Sequence, residues 1–230
     1  LGDVYKRQVQ NGGIQATTQK GSAAVCKHRT TKNVTKTTPA SFNGDGCAQN
    51  SAVCTACGYT KVTSAAKIAK VSAPKLAKTV YTYNGKVQKP SVTVKDSKGK
   101  ALKNGTDYKI SYPKGMKNVG KYTVKVTLKG NYSGSKSMTY NINPKGTGVS
   151  KVTAAKKGFK VTWKKQTTQT TGYQVQYSTS SKFKSAKTVT ISKNKTTSKS
   201  MSKLSAKKKY YVRVRTYKTV NCLLYTSPSP

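Results

Sequence analysis

The chain has almost no acidic side chains. Glutamate is absent, and four aspartates, Asp3, Asp45, Asp96 and Asp107, stand against 45 Lys and Arg residues. Glycoside hydrolysis needs two carboxylates flanking one bond, and both Asp96 and Asp107 lie in turn-like sequences, where aspartate usually binds its own backbone. One histidine and no glycine-rich phosphate loop leave little material for acid–base or phosphate chemistry. We therefore predict that the chain is not an enzyme.

Long apolar runs and arginines are also scarce. No run approaches the ~20 apolar residues of a membrane span, so no transmembrane segment is expected in these residues. The net charge of +41 invites a nucleic-acid interpretation, but beyond residue 8 the only arginines are Arg29, Arg213 and Arg215, and arginine is the side chain suited to bidentate contacts. The lysines are spread over outward strand positions, where they keep strand edges from pairing with other chains. This favours a solubilising surface, or attraction to anionic wall polymers or an acidic partner, over a nucleic-acid site.

Alternation of apolar and polar residues is the strongest pattern present. From residue 120 to 142 every second position is apolar, at Tyr122, Val124, Val126 and Leu128 and, after a turn at Gly130-Asn131, at Met138, Tyr140 and Ile142. A period of two places these side chains on one face of a hairpin and the lysines on the other. The apolar face must pack against a second sheet. We predict an all-β chain of two tandem β-sandwich domains preceded by a small β-hairpin module.

The small module, residues 25–67, contains the only histidine and a cluster of cysteines. A C-x-x-C turn, Cys54 to Cys57, presents two thiolates to one metal. Cys26 and His28 are two residues apart, so on an extended strand they face the same way. These four side chains give a tetrahedral ligand set for a structural zinc ion, with Cys47 as a spare thiol or a substitute ligand. Disulfides and inert thiols are the alternatives.

The module also resembles a known repeat. It reads C-x-H, a Thr/Lys-rich stretch, the turn Asn43-Gly44-Asp45-Gly46 and C-x-x-C-G, and this order resembles the short zinc-ribbon-like repeats of secreted proteins from Gram-positive bacteria. Zinc would then supply the core of a segment with few apolar residues, and its binding free energy would become folding free energy.

Residues 68–145 predict the first full domain. Strands are expected at Thr79–Tyr83, Ser91–Lys95, Tyr108–Tyr112, Lys121–Lys129 and Lys136–Ile142, separated by Gly- and Asn-containing turns. Besides the hairpin positions, the predicted inward set includes Val80, Val92, Val94, Tyr108, Ile110 and Tyr112. The stretches Y-N-G-K, G-T-D-Y, N-V-G-K-Y-T-V and G-N-Y-S-G resemble the bacterial Ig-like repeats found in tandem on surface proteins.

Residues 146–221 resemble a fibronectin type III domain. F-K-V-T-W, ending at Trp163, and G-Y-Q-V-Q-Y-S match its second and third strands, and Leu204 with Tyr210 matches its tyrosine corner. The resemblance implies that Trp163 is a core side chain, and Tyr211 and Tyr217 are expected to be exposed candidates for ligand contact. The family's last strand is missing, which predicts an unpaired edge.

The two ends look foreign to the rest. The DNA string CTCGGAGATGTGTATAAGAGACAG encodes residues 1–8, and its reverse complement, read one base in, encodes C-L-L-Y-T-S-P at the other end. We expect residues 1–8 and 222–230 to be translated sequencing adapters and the chain to be an internal fragment. Residues 9–24, which are polar and lack periodicity, are expected to be a linker.

These features predict non-catalytic spacer and adhesion modules of a secreted or cell-surface bacterial protein, monomeric within a longer chain. A cell-wall polymer, a glycan or a protein is the expected ligand. An alternative is a set of accessory modules of a secreted hydrolase or peptidase whose catalytic domain lies elsewhere. A third, disfavoured hypothesis is a basic nucleic-acid binder, which would bind with a steep salt dependence.

Overall fold

The computed structural model describes the backbone of residues 6–10 and 13–17 and the full side-chain arrangement of residues 27–228. These residues form eighteen strands and no helix, so the predicted all-β class is confirmed. The chain divides into two units, one of residues 1–37 and 47–66 and the other of residues 38–46 and 67–230.

Strands β1 (Lys6–Gln10) and β2 (Gly13–Thr17) form an antiparallel pair. The assignment of residues 9–24 as a linker stays a prediction, and Val9, Gln10 and the residues of β2 within that range lie in this strand pair. Gln8, Val9 and Gln10 lie opposite residues of β2 in a continuous register. A polar segment can form such a pair because the ladder is made by backbone groups, which every non-proline residue carries.

Strands β3 (Thr31–Thr38), β4 (Gly46–Cys54) and β5 (Thr60–Ile68) form a three-stranded sheet with β4 in the centre. Nearly every residue of β3 and β5 is exposed. Cys54 is the only buried apolar side chain among the described residues of the first unit. This sheet therefore has almost no hydrophobic core of its own.

The first sandwich contains six strands, β6 (Lys75–Leu76), β7 (Val80–Thr82), β8 (Val92–Thr93), β9 (Tyr108–Ser111), β10 (Gly120–Leu128) and β11 (Ser135–Asn143). One sheet has the order β7-β11-β10-β9, and β6 pairs with β8 in the other. The hairpin expected from the alternation is confirmed, because β10 and β11 pair antiparallel from Gly120 opposite Ile142 onwards. All five strands predicted for this domain are present, some of them shorter than expected.

Burial in the first sandwich follows the predicted period. Val124 and Val126 are fully buried, and Thr123, Lys125 and Thr127, which alternate with them on β10, are exposed. Each fully buried side chain of this size contributes about 1.5–3 kcal/mol before conformational entropy is subtracted. One inward position is wrong: Val80 is 44% exposed, while its neighbour Tyr81 packs edge-on against Tyr140 with ring centroids 5.6 Å apart. A three-residue strand gives too short a period to fix which face is buried.

The second sandwich contains β12 (Val149–Ala155), β13 (Gly158–Trp163), β14 (Gly172–Ser178), β15 (Lys187–Ile191), β16 (Ser198–Met201), β17 (Tyr211–Val220) and β18 (Leu223–Thr226). A three-stranded sheet, β12-β13-β16, packs against a four-stranded sheet, β15-β14-β17-β18. Trp163 lies in the core between them, as predicted. The tyrosine corner is also present, since the Ser205 N–H donates to the Tyr210 hydroxyl at 3.2 Å.

Strand β18 corrects the prediction of an unpaired edge. It pairs antiparallel with β17 along its whole length. Directly after β18, the Ser227 hydroxyl accepts from the Thr216 N–H, and the Ser227 N–H donates to the Thr216 carbonyl. An open strand edge is a template that an extended segment can complete through backbone hydrogen bonds alone. The side chains contribute less, because Leu223 and Leu224 are more than half exposed and only Tyr225 is buried. The adapter origin of these residues stays a prediction.

Hydrogen bonds centred on Gln169 join the two sandwiches. The Gln169 Oε1 accepts from the Val119 N–H at 3.1 Å and from the Lys218 ammonium, and its Nε2 donates to the Asn118 Oδ1 at 3.2 Å. The side chain thus contacts both domains.

Candidate metal centre and candidate binding face

Three side chains of the first unit converge in a manner that suits a metal ion. The ligand atoms of His28, Cys54 and Cys57 all lie within 4.8 Å of one another, and the Cys57 Sγ is 3.3 Å from the His28 Nδ1. Standard zinc bond lengths in a tetrahedral site separate neighbouring ligand atoms by about 3.6–3.8 Å. The spacing and the sulfur–nitrogen donor set therefore fit zinc.

The C-x-x-C turn is built by backbone hydrogen bonds. Cys54 ends β4, its N–H donates to the Tyr59 carbonyl at 2.8 Å, and its carbonyl accepts from the Gly58 N–H at 2.9 Å. Gly58 has a φ of +73°, which glycine adopts without steric cost. The turn brings the exposed Cys57 back beside the buried Cys54, as the spacing predicts.

His28 is held in place by groups that the sequence interpretation missed. Its ring stacks on Tyr59, with centroids 4.4 Å apart and planes 24° apart. Thr55, inside the C-x-x-C turn, donates its N–H to the Thr30 carbonyl at 3.1 Å, so the segment carrying His28 is tied to the turn carrying the thiols. The only available signal was an aromatic residue directly after C-x-x-C-G, which is too weak to identify a stacking partner.

The other two predicted cysteines have different outcomes. Cys26 lies outside the described residues. Cys47 is the second residue of β4 and lies seven positions before Cys54, which corresponds to about 23 Å along a strand. It is not part of the cluster formed by the described residues. The structure therefore corrects the expectation that Cys47 could substitute for a ligand, because the strand that carries Cys54 extends away from the cluster.

The carboxylates of the first sandwich act as turn residues. The Asp96 Oδ1 accepts from the backbone N–H groups of Lys98 and Lys100, both at 2.9 Å. The Asp107 Oδ2 accepts from the Lys103 N–H at 2.7 Å. Both carboxylates thus bind nearby backbone, as the sequence predicts.

Asp45 is likewise used for structure. Its Oδ1 accepts from the Lys70 N–H at 2.7 Å, and its Oδ2 lies 2.8 Å from the Lys67 ammonium. The hydrogen bond from Lys67 and then that from Lys70 lower the pKa of this carboxyl. Every carboxylate within residues 27–228 is therefore bonded to backbone.

The outer side of the four-stranded sheet carries a second arrangement, which we call the Arg–Gln face and define by Gln174, Gln176, Arg213 and Arg215. Opposing positions of β14 and β17 pair one arginine with one glutamine. The Arg213 Nε donates to the Gln176 Oε1, and the Arg215 Nε donates to the Gln174 Oε1, both at 2.8 Å. The sequence analysis did not predict the glutamine partners of the two arginines.

Neighbouring side chains support the Arg–Gln face. The Arg213 guanidinium lies 4.1 Å from the centroid of the Phe183 ring, a cation–π contact. Gln176 donates its Nε2 hydrogen to the Thr188 hydroxyl at 3.1 Å. Burial, followed by the nearby charge of Arg213, lowers the pKa of Arg215. The two guanidinium groups are therefore fixed rather than freely rotating.

The two tyrosines predicted to be exposed differ in their surroundings. Tyr211 is half-buried, and the Lys209 ammonium lies 5.2 Å from its ring centroid. Tyr217 is only 5% exposed, which corrects its assignment as a ligand contact. It lies opposite Gly172 on β14, and a Cβ at Gly172 would be 3.0 Å from the Tyr217 ring. The missing side chain leaves room for this ring to lie against the sheet.

Comparison with known families gives a match for the second sandwich. Residues 143–228 match the fibronectin type III domain model, in agreement with the resemblance of residues 146–221. Domains of this class mediate adhesion or protein binding and are common in extracellular proteins.

Similarity over a longer part of the chain is weaker. A crystal structure of domains FN1 to FN3 of chicken CNTN1 aligns with 80% of this chain, and the alignment covers 76% of the CNTN1 chain. The sequence identity is 14% and the TM-score is 0.33. No curated protein matches the chain. Among the described residues, no helix is long and apolar enough to cross a membrane.

Proposed function

We propose that the chain consists of non-catalytic spacer and adhesion modules of a secreted or cell-surface bacterial protein, and that the fibronectin type III domain binds the partner. The observation that carries this proposal is the match of residues 143–228 to a class of domain that mediates protein binding. The Arg–Gln face supports it, because polar side chains held in fixed positions on the outer side of a sheet can select a ligand.

The contacts made by the aspartates and by the histidine support a non-catalytic role. Asp45, Asp96 and Asp107 are bonded to backbone groups. His28 is grouped with two thiols rather than with a carboxylate that would orient it as a general base. Within residues 27–228, therefore, no carboxylate or imidazole is positioned to act as a general acid or base.

We further propose that His28, Cys54 and Cys57, together with Cys26, hold a structural zinc ion. The ion would link the C-x-x-C turn to the segment before β3 and supply the stability that the nearly coreless sheet lacks. The donor spacing supports this assignment.

Binding of the full chain to intact Gram-positive cells tests the adhesion proposal. We expect saturable binding at physiological salt that is lost when cell-surface protein is removed by protease. A Val175→Asp variant is the control, because Val175 is fully buried and a charge there should unfold the binding domain. Failure to bind cells, combined with salt-sensitive binding to duplex DNA, would instead support the nucleic-acid hypothesis.

A further inference from the structure

We propose that the Arg–Gln face binds an extended acidic segment of a protein partner, with carboxylates at every second residue. This inference rests on the proposed function as a protein-binding module and adds the binding site and the chemistry of the ligand. Two half-buried arginines, two positions apart on β17 and each bonded to a glutamine of β14, carry it.

The arginines are preorganised for anions. Each guanidinium uses its Nε to donate to a glutamine of β14, which leaves the donors of its two terminal nitrogens for a ligand. Within residues 27–228, the only ion pair joins Lys67 and Asp45, so neither Arg213 nor Arg215 has an acidic partner of its own. Their charges are therefore available to a carboxylate, which a guanidinium binds through two parallel hydrogen bonds.

The spacing of the arginines selects the form of the ligand. Arg213 and Arg215 are two residues apart on one strand, so their Cα atoms are separated by about 6.6–6.8 Å. An extended peptide repeats the side chains of one face at the same interval. Two of its carboxylates can therefore bind the two guanidinium groups in register, whereas adjacent carboxylates point to opposite faces.

The composition of this face favours an acidic peptide over a nucleic acid. Elsewhere the cations are almost all lysines, which act as compact point charges. Affinity for nucleic acid comes from neutralising many phosphates, and scattered lysines can do that without ordered arginines. A pair of arginines oriented by glutamines is better suited to a short ligand with planar oxyanions.

A peptide-binding experiment on the full chain tests the inference. The probe is an acetylated peptide with alternating threonine and glutamate. It is compared with a peptide of the same composition, the paired peptide, in which two adjacent glutamates alternate with two threonines, so that no two glutamates are two residues apart. The Arg213→Lys/Arg215→Lys variant keeps the charge and removes the planar donors. We expect its Kd for the alternating peptide to rise about tenfold or more, because hydrogen bonds between charged groups are lost.

The matched control is Lys160→Gln/Lys199→Gln, which removes two exposed charges from the three-stranded sheet. We expect less than about a twofold change, since exposed lysines act mainly through screened long-range attraction. Thermal melting establishes that both variants fold.

Several outcomes would overturn the inference: no measurable binding of the alternating peptide, equal binding of the paired peptide, an equal loss in the lysine control, or a larger loss of DNA than of peptide binding in the arginine variant. Cell binding that survives the double arginine substitution would remove this site while leaving the adhesion function in place.

Discussion

The Cys54→Ser substitution removes the candidate metal ligand that is buried among the three described ones, His28, Cys54 and Cys57. Serine is close in size to cysteine but does not supply a thiolate, so the change tests coordination rather than packing. Structural zinc contributes about 10–16 kcal/mol in small modules. Shared among four ligands, this is about 3 kcal/mol each, which corresponds to a Kd for zinc that is about 100-fold weaker or more.

Zinc titration against a coloured chelator of known affinity measures this change. Cys47→Ser is the matched control, because Cys47 lies on the same strand but outside the cluster. We expect one zinc ion per chain in the parent and in the control, and a Cys57→Ser variant that resembles Cys54→Ser. Amide hydrogen exchange in β3 to β5 should accelerate when zinc is removed, since this sheet has almost no buried apolar surface.

Two results would refute the coordination hypothesis. One is an equal loss of zinc affinity in Cys47→Ser and Cys54→Ser. The other is a metal-free chain that keeps its slow-exchanging amides and whose mass is lower by a pair of hydrogens, because a disulfide would then replace the metal. Either outcome leaves the adhesion proposal untouched, since that depends on the fibronectin type III domain.

Three further predictions concern the sandwiches. Gln169→Ala should speed exchange of the Val119 amide about tenfold, measured by NMR, because this N–H loses its acceptor. Burial raises the pKa of Tyr140 to about 12, so the contribution of its neutral hydroxyl to stability is complete below about pH 10 and is lost as the pH rises to about 12. In the Tyr140→Phe variant the denaturant midpoint should therefore fall less steeply with pH across that interval. An equally steep fall in the variant and the parent would contradict this. Tyr225→Ala should lower the Tm of the second sandwich by about 10 °C, since burial of such a ring contributes about 2 kcal/mol, whereas Leu224→Ala, at an exposed position of the same strand, should change it little.

Periodicity predicted the fold best where one face of a long strand is buried. Along β10, a shift of one residue would expose Val124 and Val126 and bury lysines, so only one register is stable. At β7 the same reasoning failed, because that strand has three residues and Tyr81 rather than Val80 faces the core. The edge strand β18 was missed for a related reason, since its pairing depends on backbone groups more than on side-chain pattern.

The sequence predicted contacts between residues that are close in the chain better than contacts between residues that are far apart. The Cys54–Cys57 turn joins residues three positions apart, and its spacing identified it. Arg215 and Gln174 are 41 positions apart, and only the pairing of β14 with β17 brings them together. A sequence pattern reveals that each side chain faces outward, but the partner across the sheet depends on strand order, which periodicity does not encode.

The scarcity of acids gives the lysines and arginines different roles. With one internal ion pair among the described residues, most of the positive charge has no partner within that part of the chain. Lysine charge in solvent attracts any polyanion and is screened beyond about 8 Å at physiological salt, so it accelerates encounter without selecting a ligand. Arg213 and Arg215, oriented by glutamines, can discriminate by geometry. Raising the salt concentration should therefore slow association with an acidic partner more than it accelerates dissociation.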